Sequence, residues 1–350
     1  MKEKELFDVT IIGGGPAGLY SAFYSGLREM KTKIIEYQPM LGGKIHVYPE
    51  KMIWDVGGLT PTPGAELIKQ LVQQGLTFDP EVVLNEKVES ITRNKEGLFI
   101  LEGSSGQKHL SKSVIVAVGS GIINPQKLDI EGAERFEVSN LHYTVKSLKS
   151  FKDRTVVISG GGNSAVDWAN ELEPIAKKVY VTYRKGALNG HEAQCAQLIN
   201  SSASCLFHTS ITKLMADSNH ERIEKVQLTN HQTGEVTNLD IDEVIINHGY
   251  EIDASLLKNS SLNVKMVNDF YIEGTSTSDS SIEGLYAAGD ILMHEGKVNL
   301  IAGAFQDAAN AVNRAKKYIQ PEADKIAMVS SHNDVFKKKN RELVKKMMVN

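Results

Sequence analysis

The chain has 350 residues, 41% hydrophobic and 23% charged, with a formal net charge of −4. That length exceeds one ordinary core, so two domains are expected, and the composition is that of a globular protein. The slightly acidic balance excludes a generally basic nucleic-acid binder, and no apolar run approaches the ~20 residues that span a bilayer. The charged opening, Met1–Phe7, does not read as a signal segment. Cys195 and Cys205 form no C-x-x-C, which predicts a reducing, cytoplasmic setting, and no metal is expected.

Val9–Ile12 is a short β-rich apolar run ending at glycines, the pattern of a buried parallel strand. Gly13, Gly15 and Gly18 follow at the G-x-G-x-x-G spacing. The first permits a tight turn, the second lets backbone approach a pyrophosphate, and the third lets the next helix pack on the strand. Residues 16–28 predict that helix, with Pro16 in its first turn, where a missing N–H costs little. Its N-terminus offers free N–H groups and a positive dipole end to phosphate oxygens. A second strand, Lys33–Ile35, delivers Glu36 eighteen residues after Gly18, where a carboxylate can accept hydrogen bonds from a ribose diol.

Displaced by 147 residues, the motif returns. Thr155–Ser159 is a strand, followed by Gly160-Gly161-Gly162-Asn163-Ser164-Ala165; Gly160, Gly162 and Ala165 overlie Gly13, Gly15 and Gly18, and a helix is expected from Ala165 to Ala176. A strand at Val179–Thr182 then puts Tyr183 where the first unit has Glu36, followed by Arg184 and Lys185. A carboxylate there repels a 2′-phosphate, whereas a guanidinium holds one bidentately and a lysine adds charge. The first unit is therefore expected to take a ribose with a free 2′-OH, and the second to prefer NADPH over NADH.

Between the units lie Gly42-Gly43-Lys44 through Tyr48, a turn-rich stretch Trp54–Gly58, and a helix at 64–74. Val82–Val88 and the alternation around Ile91, Leu98 and Ile100 predict a small antiparallel insert; Ser113–Val118 predicts a buried strand, and residues 120–154 a crossover. Beyond the second unit, strands are expected around 206–208, 223–228 and 244–246. Leu285–Ala288 should be a strand ending in Gly289-Asp290, ahead of a helix at about 302–318. The tail from Phe336 holds Lys337, Lys338, Lys339, Arg341, Lys345 and Lys346 against Glu342.

These three motifs, in this order, resemble the thioredoxin-reductase-like branch of the two-dinucleotide-binding flavoproteins over nearly the whole chain. The resemblance implies an α/β architecture of two Rossmann-like, three-layer ββα domains. FAD would bind residues 1–120 and 250–330, and NADPH an inserted domain at 121–249; residues 331–350 form an extension near the flavin. It also implies that Asp290 bonds the ribitol chain of FAD. One departure is decisive. The redox C-x-x-C of thioredoxin reductases is missing from Val138–Val145, so no thiolate stands there to attack a disulfide.

With that loss and an extended C-terminus, the chain is similar to the bacterial ferredoxin/flavodoxin–NADP+ reductases of thioredoxin-reductase-like type. That similarity implies Tyr48 on one face of the flavin ring and Val329 on the other, with His332 the alternative to Val329. Lys44, Val88, Ile123 and Ser331 are implied as further FAD contacts. No catalytic side chain is required, because the chemistry is centred on the flavin. The resemblance further implies a homodimer and a small acidic acceptor, ferredoxin or flavodoxin, toward which the basic tail is a candidate steering surface. An NADPH oxidase or flavin monooxygenase of the same fold is the competing reading.

Overall fold

The computed structural model describes residues 5–121, 124–250 and 253–348. The chain divides into two compact units: Met1–His46, Lys51–Ile122 and Ile252–Asn350 form the first, and Val47–Glu50 with Ile123–Glu251 the second.

The first unit opens with β1 (Leu6–Ile12), buried on both faces from Val9 onward, as a strand covered by helices must be. Helix α1 (Pro16–Leu27) follows with proline at its start, and β2 (Thr32–Ile35) lies parallel to β1 with Ile12 opposite Ile35. Helix α2 (Gly64–Gly75) buries Leu67, Ile68 and Leu71 on one stripe. It leads to β3 (Glu81–Val83), which pairs in parallel with β2. Val82 thus belongs to the parallel edge of the sheet, not to an antiparallel insert. The apolar run is broken at Asn85, whose φ of 57° turns the chain. Only β4 (Val88–Arg93), β5 (Phe99–Gly103) and the first half of β6 (Lys108–Val116) form the antiparallel meander. The strand order is β3-β2-β1-β6-β5-β4.

The second unit contains β7 (Leu141–His142), β8 (Thr155–Ser159), α3 (Asn163–Leu172) and β9 (Lys178–Tyr183). Helix α4 (Glu192–Ile199), β10 (Ser204–Phe207), β11 (Thr209–Ala216), β12 (Ile223–Asn230), β13 (Val236–Asp240) and β14 (Glu243–Ile246) complete it. Its parallel sheet runs β10-β9-β8-β14-β7, and β11-β12-β13 form an antiparallel sheet. Ser159 faces Thr182, the register of Ile12 and Ile35 displaced by 147 residues. Val156, Ile158, Ala165, Trp168 and Val181 share its core.

The chain then returns to the first unit. β15 (Leu285–Ala287) pairs in parallel with β6, and α5 (Ile301–Ile319) buries Ala304, Ala308, Ala311, Val312 and Ala315. Those small side chains let α5 lie close against α1, where the Tyr20 and Phe305 rings are 5.0 Å apart. The last helix, α6 (Lys337–Met347), follows Phe336, whose ring meets Phe23 at 6.3 Å and Phe78 at 5.3 Å.

At the return point, the Asp253 carboxylate lies 2.8 Å from Lys87 Nζ and accepts from the Ser255 N–H at 2.8 Å. Burial pushes this carboxyl up, but Lys87 and Ser255 outweigh burial and hold it down at about 2, against an ordinary 3.8. A folded-state value below the unfolded one stabilises the protein above pH 3.8; that contribution is lost as pH falls from 3.8 toward 2. Asp253→Asn is therefore expected to flatten the stability profile in that acid window, as followed by circular dichroism. An unchanged profile would refute the assignment.

Candidate nucleotide sites

The first glycine turn is dictated by backbone crowding. Gly13 has φ 106°, and a Cβ there would lie 2.4 Å from the Ala117 carbonyl oxygen; at Gly18 it would lie 1.9 Å from the Gly13 carbonyl oxygen. Gly15 differs. Its added Cβ would meet Gly43 Cα at 3.6 Å, an ordinary contact, so what the missing side chain keeps open is the approach to the α1 N-terminus. Gly43, at φ 61°, rests on Gly15, and the Gly42 N–H donates to the Gly14 carbonyl at 2.8 Å. Lys44 follows, exposed in the turn Gly43–Val47.

Glu36 is buried beside this turn. Its Oε2 accepts from the Gly14 N–H at 2.5 Å and its Oε1 from the Gln38 N–H at 2.8 Å. The carboxylate thus braces the glycine turn, a role the sequence did not reveal, and its remaining lone pairs stay available to a ribose diol. The second motif closes on the first: Gly289, φ 79°, would bring a Cβ to 3.0 Å from Ala17 Cβ in the first turn of α1. Asp290 Oδ2 lies 3.4 Å from Ser120 Oγ. Gly13, Gly15, Gly18, Glu36, Lys44 and Asp290 are therefore brought to one end of the sheet, and this cradle fits a dinucleotide such as FAD.

Of the other residues expected there, those that are described lie as follows. The Val88 side chain is buried in the apolar core with Phe99 and Leu101, leaving only its main chain to meet a cofactor. Ile123 lies outside the described residues. Val329, Ser331 and His332 are exposed, and their segment is tied to the far end of α1: Asn333 Nδ2 donates to the Leu27 carbonyl at 3.5 Å, and Arg28 donates to the Asp324 carbonyl at 2.6 Å. A 12-residue helix is about 18 Å long, so they stand away from the glycine turn of their own chain. Tyr48 belongs to the second unit, half-buried and packed against the cluster that includes Val145 and Phe151.

The second glycine turn repeats the first by different means. Gly160, φ 148°, would place a Cβ 2.4 Å from the Asn247 carbonyl oxygen and 3.2 Å from Ala165 Cβ, while Gly162 has nothing within 4 Å. In place of the carboxylate, the Tyr183 ring covers Gly161, where a Cβ would come within 2.3 Å of it. The loop after β9 clasps this turn: Asn189 N–H donates to the Gly161 carbonyl at 2.7 Å, and His191 N–H to Asn163 Oδ1 at 2.9 Å. Ser164, Arg184 and Lys185 are exposed at this end of the sheet. His248, two residues past the end of β14, carries no motif in the sequence. Its Nε2 is 2.9 Å from Ser159 Oγ, and burial, then Arg184, holds it below the ordinary histidine range. Its signal was its position just beyond the carboxyl end of a central strand. The open turn with two exposed cations fits a 2′-phosphorylated dinucleotide such as NADPH.

No group of His, Cys, Asp and Glu able to hold a metal exists among the described residues. Burial raises the Cys205 thiol, with Cys195 adding to the shift, the opposite of an activated thiolate. Nor is any described helix long and apolar enough to cross a membrane.

Comparison with known proteins agrees with this fold. The pyridine nucleotide-disulphide oxidoreductase family matches residues 7–315. The chain is 75% identical to ferredoxin–NADP reductase 1 of Bacillus licheniformis over 349 residues, covering 100% of both chains. It is 74% identical to ferredoxin–NADP reductase 1 of Bacillus mycoides, over 99% of this chain and 100% of the other. Among solved structures it is similar to Lactococcus lactis thioredoxin reductase in the FR conformation, with a TM-score of 0.73 and 25% identity over 89% of this chain and 99% of that one.

Proposed function

We propose that this chain, which belongs to the pyridine nucleotide-disulphide oxidoreductase family, is an FAD-dependent ferredoxin/flavodoxin–NADP+ oxidoreductase of thioredoxin-reductase-like fold. One observation carries the reading. Two glycine turns share one register but have opposite chemistry beside them, Glu36 in the first and Tyr183-Arg184-Lys185 in the second, with no cysteine in Val138–Val145. The cofactors supply hydride transfer from nicotinamide to flavin and one-electron steps to a protein acceptor. The chain supplies placement. Gly13–Gly18 and the α1 N-terminus hold a pyrophosphate, Glu36 and Asp290 accept from hydroxyls, and Lys44 adds a cation at the rim. Gly160–Ala165 with the α3 N-terminus, Arg184 and Lys185 hold the second nucleotide, with Asn163 and Ser164 in the first turn of α3.

The roles of Tyr48, Val88, Ile123, Val329, His332 and Ser331 at the flavin rest on the resemblance. The tether of residues 324–333 to the far end of α1 favours a homodimer in which a second copy's C-terminal segment covers the ring. A cytoplasmic setting suits a chain whose two cysteines are free.

The deciding experiment is an anaerobic NADPH assay of the purified flavoprotein with ferredoxin, flavodoxin and thioredoxin offered separately. Reduction of the first two but not of thioredoxin is expected. Oxygen consumption matching NADPH loss, with no acceptor protein reduced, would favour the oxidase or monooxygenase reading instead.

Helix α6 is exposed, with Lys337, Lys339, Arg341 and Lys345 along it. Deleting residues 337–350 keeps the Phe336 anchor and is expected to lower kcat/KM for an acidic ferredoxin about tenfold at low salt, the scale of electrostatic steering. The difference should vanish at high salt. Equal rates at low salt would remove the tail from acceptor docking.

A further inference from the structure

Beneath the Gly289-Asp290 turn lies a buried charge cluster that the proposed chemistry does not use. Asp307 is in the second turn of α5, and its side chain is 7% exposed. Its Oδ2 accepts from the Gly289 N–H at 3.1 Å and from the ammonium of Lys297, itself 5% exposed. His294 closes the other side, with Nε2 3.9 Å from Asp307 Oδ1 and no hydrogen-bond partner. The same residue is fixed through its main chain, because Ser278 Oγ donates to the Asp307 carbonyl at 2.8 Å.

A buried carboxylate costs desolvation energy, and an apolar pair of similar volume would serve stability as well or better. What an apolar pair cannot do is accept the Gly289 N–H. That peptide forms the turn with φ 79° that rests against Ala17 at the start of α1, and the next residue is Asp290. Any drift of the turn moves Asp290 relative to the glycine cradle. We infer that Asp307, charge-balanced by Lys297, is a positioning residue for FAD: it fixes the Gly289 peptide so that the Asp290 carboxylate is preset for the flavin's hydroxyl chain. This rests on the reading of the first cradle as the FAD site.

The test separates the acceptor from the ion pair by working in a Lys297→Met background. Lys297→Met/Asp307→Asn keeps an oxygen for the Gly289 N–H, whereas Lys297→Met/Asp307→Leu keeps only volume. FAD dissociation constants would be measured by reconstituting each apoprotein, alongside apoprotein melting temperatures and the reduction potential of the bound flavin. The Asn variant is expected to bind within about twofold of wild type. The Leu variant should bind at least tenfold more weakly, with apoprotein melting points alike. Equal affinities for the two, whether both strong or both weak, overturn the inference. Where the Leu variant does not fold, Asp307→Ala in the same background gives the same comparison. A wild-type chain that takes up no FAD defeats the underlying reading, and shows this before any variant is made.

Discussion

Gly18→Ala is expected to give a colourless protein with a lowered melting temperature, and Gly15→Ala a colourless protein that melts as the wild-type apoprotein does. The two glycines belong to one motif but meet different surroundings. A methyl at Gly18 would sit 1.9 Å from the Gly13 carbonyl oxygen, which is backbone and cannot rotate away. Relief requires α1 to lift off β1, an overpacking cost of about 3 kcal/mol, the upper part of the usual range. At Gly15 the same methyl meets only Gly43 Cα at 3.6 Å, so the folded chain accepts it. It then occupies the path to the free N–H groups of α1, where a phosphate must come within hydrogen-bond distance. Reconstitution with FAD and thermal melting of the apoproteins would check both. At least a hundredfold loss of FAD affinity is expected in each, with a drop in melting temperature for Gly18→Ala alone. A stable, yellow Gly15→Ala protein would exclude pyrophosphate binding at this turn.

What the sequence disclosed and what it hid follow one physical division. The repeat was legible because strand, glycine turn and helix are specified within about thirty contiguous residues, by burial and by backbone crowding. The observed registers, Ile12 with Ile35 and Ser159 with Thr182, carry that offset unchanged into three dimensions. Glu36 was found by its spacing, but its bond to the Gly14 N–H was hidden, since spacing places a carboxylate without saying what it accepts from. Elements that bury little were also missed. Helix α4 buries only Leu198, and β13 is an exposed edge strand, so neither imprints a periodic pattern. Read from sequence alone, Val82 falls in the wrong part of the sheet, because a three-residue strand has no parity of its own. Its parallel pairing is set by the α2 crossover. Asp307 was invisible for a third reason: in sequence it is one acid on a helix, and its meaning arises only when Lys297 and the Gly289 peptide converge on it.

Arg184→Ala/Lys185→Ala is expected to lower kcat/KM for NADPH by 100-fold to 1000-fold while leaving NADH within about threefold. Each hydrogen bond to a charged group contributes about 1.5–3 kcal/mol, and about 1.4 kcal/mol is a factor of ten. Two such contacts to a 2′-phosphate therefore suffice, and a nucleotide lacking that phosphate loses nothing. Both side chains are exposed past the end of β9, so their removal leaves the Tyr183–Gly161 packing and the fold in place. The shared register allows a stricter form of the experiment. Residue 183 stands where Glu36 stands in the first unit, and there the carboxylate accepts from the Gly14 N–H. Adding Tyr183→Glu to the double variant should reproduce that arrangement on Gly161 and present an acid to a free ribose diol. The rise expected in kcat/KM for NADH is about tenfold, for one well-placed hydrogen bond to a charge. Losses of equal size with both nucleotides in the double variant would mean that the two cations serve the sheet, and that the second cradle does not read the 2′-phosphate.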